Sequence, residues 1–245
     1  MQTSSTPMNT SQTATEERSA LNKVMWFGIL ELVGVVASAV AGFYIVSTMF
    51  SGTFLSSLVN STSTATPSQV AKALGPAFQG IIYLVPLTLG IELVGLVVLT
   101  MGFRGLAKVD RARFHISTPF MIVLIVGLLI VVGGAVPLLN AIPNVIASAY
   151  NCTFPYTATT CTPSSAFFNQ FSSVIAYFGL LAIGGILGLI GFIGGLILGL
   201  WRVGTRYNQT TIKVGAILQI IPYVSIIGAI LIIIGANEAK NTLSR

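Results

Sequence analysis

The run SSVIAYFGLLAIGGILGLIGFIGGLILGLW, residues 172–201, decides the fold. It passes thirty positions without a charged side chain. About 20 apolar residues suffice for a helix to cross the roughly 30 Å of bilayer hydrocarbon. A soluble helix of this length would show a polar stripe along one face, and this one shows none. Its solvent is therefore lipid.

The rest of the chain is drawn from the same stock. Over half of the residues are hydrophobic (54%) and 7% are charged, against about 25% charged in soluble domains. Working outward from residues 172–201, four further apolar runs read as spans: Val24–Phe50, Phe78–Met101, Thr118–Leu139 and Val214–Gly235. The expected fold is all-α, a polytopic integral membrane helix bundle of about five transmembrane helices. Its membrane domain occupies residues 23–237, with outer loops at 51–77 and 140–171 and inner turns at 102–117 and 202–213. Residues 1–22 are rich in Ser and Thr and lack the apolar core of a signal peptide. They read as a disordered cytoplasmic tail. Residues 238–245 form a short C-terminal tail.

Lysine and arginine orient the bundle. With the N-terminus inside, nine cations fall on the inner side: Arg18, Lys23, Arg104, Lys108, Arg111, Arg113, Arg202, Arg206 and Lys213. Three fall outside: Lys72, Lys240 and Arg245. The positive-inside rule then gives N-in and C-out. Trp26 and Trp201 land at the inner rim, where indoles anchor. The net charge of +6 is thus an orientation signal. No basic stripe with interleaved aromatics marks a nucleic-acid surface, so the expected partners are the lipid bilayer and a second copy or another membrane protein.

Within the glycine-rich span, Gly184, Gly188, Gly191, Gly195 and Gly199 recur at intervals of four, three, four and four. Glycine is unfavourable inside a helix by about 1 kcal/mol relative to alanine. A whole face of it implies close helix–helix contact, within the monomer or between copies.

The quartet ELVG occurs twice, at residues 31–34 and 92–95. Each copy sets a glutamate inside an apolar run, with Gly34 or Gly95 three residues on and hence on the same helical side. Glu31 lies roughly 12 Å from Lys23 along a helix, and Glu92 roughly 15 Å from Gly102, at 1.5 Å per residue. Antiparallel neighbours would bring the two acids to similar depth. A lone carboxylate in hydrocarbon is expensive, so at least one is expected to be neutral at pH 7. One reading is a proton or cation site. The other is a protonated acid donating to a backbone carbonyl, such as that of Ile82, which Pro86 leaves free.

Cys152 and Cys161 both fall in the outer loop, where oxidising conditions favour a bridge between them. Zinc is a weaker alternative because further ligands are lacking there. Asn60 and Asn151 fit the glycosylation pattern on the outer side. Asn9 and Asn208 fit it too but fall inside. His115, the single histidine, sits in a basic turn. No HExxH, GxSxG or Walker loop is present. No enzyme activity, cofactor or metal is expected. What remains is a non-catalytic scaffold or accessory subunit built on glycine-mediated packing. The alternative is a transporter or channel component using Glu31 and Glu92.

RVGTRYNQTTIKVGAILQIIPYVSIIGAILIIIG (residues 202–235), with GFRGLAKVD leading toward GLLIVVGG, resembles a family of multi-pass membrane proteins from thermoacidophilic archaea, grouped as a domain of unknown function. The resemblance implies an archaeal plasma membrane and carries no catalytic residues over.

Overall fold

The computed structural model describes residues 10–49, 67–149, 165–221 and 224–243. Among them the chain is helical throughout. Helix α1 spans Thr10–Met49, α2 Pro67–Val109, α3 Arg111–Phe114, α4 Ser117–Ala149 and α5 Ser165–Gly191. A π-helical stretch, Phe192–Ile197, leads into α6, Leu198–Arg206. Helices α7, Thr210–Leu218, and α8, Ser225–Thr242, end the chain. Among the described residues, four helical stretches are long and apolar enough to cross a membrane: Gln12–Ser47, Gly80–Val109, Arg111–Ile142 and Phe171–Arg206. The helix-bundle membrane architecture is as the sequence indicates.

Several boundaries differ, and each for a physical reason. Residues 10–22 are not a tail: they continue α1, with Glu17, Ala20 and Leu21 buried. Small residues opposite make room, since Gly105 would place a Cβ 3.1 Å from the Ala20 Cβ. The inner turn expected at 102–117 is shorter, because α2 runs on to Val109 with Phe103 and Leu106 buried. The outer loops shrink likewise. Helix α2 starts at Pro67, where a proline suits the first turn, and continues unbroken through the end of the loop expected at 51–77. Helices α4 and α5 reach into the expected 140–171 loop, ending at Ala149 and starting at Ser165.

The largest difference is the fifth segment. It is not one crossing helix but a hairpin. Pro222 has no N–H to give to the Leu218 carbonyl, which takes the Ile221 N–H at 3.2 Å instead. Helix α8 then folds back along α7. A Cβ on Gly215 would lie 2.8 Å from the Gly228 carbonyl oxygen, and one on Gly228 would lie 2.8 Å from that of Gly215. Further along, Gly235 packs on Thr211 and Ile212. Residues 211 and 235 are level, so the last turns of α8 run past the start of α7. The C-terminal end lies on the side where the hairpin began, not across from it. The tail expected at 238–245 is helical through Thr242.

The chain divides into two compact units. One comprises Met1–Val36, Gly90–Gly127 and Ile186–Arg245, and the other Ala37–Leu89 and Leu128–Gly185. The first has a dense interior of Leu21, Val24, Phe27, Leu99, Phe103, Phe114, Met121, Leu200, Ile212 and Ile232. Phe103 and Phe114 stack with centroids 6.5 Å apart. In the second, Gly134 packs on Leu180 and the Tyr177 carbonyl, while Phe43, Tyr83 and Phe178 stand exposed, as lipid-facing side chains do.

Candidate functional site

In the first unit, α1 and α2 pack antiparallel, and both ELVG copies lie on that seam. A Cβ on Gly34 would sit 3.5 Å from the Glu92 Cγ. One on Gly95 would sit 3.5 Å from the Leu30 Cβ and 3.6 Å from Phe27 Cδ2. Each glycine thus admits the other helix, in ordinary van der Waals contact. Glu31 and Glu92 are half-buried and lie within Coulombic range of one another. Among the described residues neither has an ion-pair or hydrogen-bond partner, so the expected donation to the Ile82 carbonyl is not made.

The glycines of the fourth span divide. Gly191 meets the Leu124 backbone, where an added Cβ would lie 2.6 Å from the Leu124 Cα. Gly195 would place one 2.8 Å from the Met121 nitrogen, and Gly199 one 2.5 Å from the Phe103 ring. Gly194, not singled out by the spacing, meets the Phe120 ring at 2.6 Å. Gly188 has nothing within 4 Å. Gly184 is buried and belongs to the second unit. The contacts at 191–199 coincide with the π-helical stretch, a distortion frequent at functional sites.

Sequence reasoning missed a polar cluster at the other end of the first unit. Arg206, at the end of α6, pairs with Glu17 of α1 through Nη2 and with Asp110 through Nη1 at 2.5 Å. Asp110 also caps α3, accepting from the Arg113 N–H at 3.3 Å. Next to it Arg202 donates to the buried Ser117 hydroxyl at 3.1 Å. The turn that aims Arg206 is local chemistry. Asn208 takes a positive φ of 51°, and the Gln209 N–H then reaches back to the Gly204 carbonyl at 2.8 Å, closing the helix end. Burial pushes the Tyr207 phenol up to about 12, with the Glu17 carboxylate adding to the shift. The nearby Arg206 guanidinium pulls the other way, yet the phenol oxygen has no partner at ordinary hydrogen-bond geometry. The available signal was the adjacent pair Glu16–Glu17 in a Ser/Thr-rich stretch and a lone Asp between helices.

His115 is exposed, its Nδ1 2.9 Å from the Arg111 carbonyl oxygen, in keeping with a turn residue. No group of three His, Cys, Asp or Glu side chains that could hold a metal ion occurs among the described residues. Cys152, Cys161, Asn60 and Asn151 lie outside the described residues, and the expected Cys152–Cys161 bridge is not shown by the structure.

Four crossing-length apolar helices among the described residues, with partly buried ion pairs in the first unit, fit a polytopic helical membrane protein. The chain belongs to the family described as Protein of unknown function (DUF973), whose model matches residues 17–245. No curated protein and no solved structure matches it.

Proposed function

We propose that the chain is a non-catalytic scaffold or accessory subunit of the plasma membrane of a thermoacidophilic archaeon, acting through close helix packing. The observation that carries this reading is the approach of main chain to main chain at Gly191 and Gly195, against Leu124 and Met121. Contacts of that kind hold membrane helices together without a hydrophobic driving force and make a stiff platform. In the same unit Ile186, Leu189, Ile190 and Ile193 remain exposed along α5 and the π-helical stretch, an apolar flank for lipid, another copy or a partner helix.

A second reading comes from the proximity of Glu31 and Glu92: a transporter or channel component with a proton or cation site between α1 and α2. Reconstitution into liposomes holding a pH-sensitive dye separates the two. The scaffold reading expects no proton flux above protein-free vesicles, and cross-linking in native membranes that traps the chain in a complex larger than one copy. Proton flux that disappears in the Glu31→Gln, Glu92→Gln double variant overturns it in favour of transport.

A further inference from the structure

The first unit carries an unbalanced band of positive charge. Its acids outside the apolar runs are Glu16, Glu17, Asp110 and Glu238. Arg206 engages both Glu17 and Asp110 from within the fold. Arg113, exposed beside them, shares Asp110 at 3.5 Å, so neither acid is left over for Arg104, Lys108 or Arg111. Arg104 and Lys108 lie four residues apart at the end of α2, on one helical side. Both are exposed, as is Arg111 one turn on, and among the described residues none of the three has an ion-pair or hydrogen-bond partner on its side chain. Arg18 is exposed as well, on the part of α1 that packs at Gly102 and Gly105.

The depth of this band is marked by tryptophan. Trp26 is 50% and Trp201 41% exposed, the aromatic exposure of an interfacial anchor. Both lie on helices that flank this stretch of α2: α1 meets Gly102 through Ala20, Lys23 and Val24, and Gly199 meets Phe103. Lys213 Nζ stands 5.8 Å over the Trp201 ring. Interfacial tryptophans sit at the headgroup level of a bilayer, and Trp201 lies two residues beyond Gly199, which meets Phe103 beside Arg104.

We infer that Arg104, Lys108 and Arg111 form a binding face for the phosphate headgroups of anionic phospholipids in the leaflet they border. Charge complementarity and depth together single out this occupant. A phosphate carries the opposite charge, and a lipid is the molecule whose phosphate is held at this level. Each such cation contributes about fivefold to the preference for an anionic surface over a neutral one.

Tryptophan quenching tests the assignment, because the chain has two tryptophans and both flank the face. The full chain is reconstituted in vesicles of phosphatidylcholine containing either brominated phosphatidylglycerol or brominated phosphatidylcholine. The brominated anionic lipid is expected to quench more strongly. The excess falls at least about fivefold in the Arg104→Gln, Lys108→Gln variant, and shrinks in about 1 M NaCl, where the Debye length is about 3 Å. Both substitutions are at exposed positions, and an unchanged helical spectrum verifies the fold. Arg111→Gln alone, expected to give an intermediate loss, serves if the double variant does not fold. Equal quenching by the two lipids overturns the inference, as does a preference that survives both substitution sets. Inorganic phosphate at matched ionic strength should compete no better than chloride. Stronger competition would mark a site for free phosphate and refute the lipid assignment.

Discussion

Replacing Gly191 by alanine adds one methyl group where the Leu124 backbone already stands. The new Cβ would lie 2.6 Å from the Leu124 Cα, whereas carbon atoms in good contact are about 3.5–4.0 Å apart. Backbone cannot swing aside as a side chain does, so α4 and the Gly191 segment must separate by about 1 Å. A gap of that size forfeits about a quarter to a half of each dispersion contact along the seam. Overpacking of this kind costs about 1–3 kcal/mol, offset by about 1 kcal/mol of improved helix propensity. The net loss is up to about 2 kcal/mol. Gly188→Ala, three residues earlier, meets nothing within 4 Å and retains the propensity gain of about 1 kcal/mol. The propensity gain is common to both, so Gly191→Ala should be the less stable of the two by about 1–3 kcal/mol. Unfolding in mixed micelles with rising SDS, followed by far-ultraviolet circular dichroism, measures both. Equal midpoints for the two variants would refute the argument, and so would a stabilised Gly191→Ala.

Arg206→Gln should destabilise by about 3 kcal/mol, the lower end for a buried pair losing one partner because the guanidinium is partly exposed. Adding Glu17→Gln should restore part of the loss in the same SDS titration, and no restoration would show that the pair is not the cause. Tyr207 has its pKa raised above the usual tyrosine value, so its contribution is fully present below about pH 10 and is lost as pH rises through about 12. Tyr207→Phe should flatten that alkaline decline and change little at pH 7, which thermal melts across the range will show. Finally, reporter tags at the two termini should be accessible from the same side of the membrane, as the α7–α8 hairpin requires. Opposite accessibility would restore a fifth crossing.

The spans were legible because, Glu31 and Glu92 apart, charged residues are excluded from them. Their ends were not, since helix does not stop where lipid does: FRGLAKV after Gly102 is still amphipathic, and α2 continues through it to Val109. The ELVG seam was legible in its antiparallel sense, as Gly34 on Glu92 and Gly95 on Leu30 show. The glycine series misled in part. A constant 3.6-residue period was assumed, but the π-helical stretch spends extra residues on its turns and rotates the helix beyond it by about 100° per added residue. Gly194, within that stretch, enters the contact; Gly188 lies before it and is left out because no neighbouring helix comes within 4 Å of a Cβ there. The hairpin had a signal in Pro222, with Gln219 and Ser225 near it in an otherwise apolar run, yet hydropathy alone reads such a run as a single crossing. The Arg206 pairs span 189 and 96 residues of sequence, and separation on that scale leaves no local trace.

Those pairs also act on movement. Membrane helices shift most readily along their own axes, and apolar surfaces oppose such sliding weakly because one apolar contact replaces another. A guanidinium gripping Glu17 and Asp110 at once is different. A slip of one residue, about 1.5 Å, stretches charge-assisted bonds beyond their range, and a slip of one turn, about 5.4 Å, removes them. Arg206 therefore works as a detent: α1 and the end of α2 are held at one axial setting against α6, and any piston-like motion of α1 must first release residue 206.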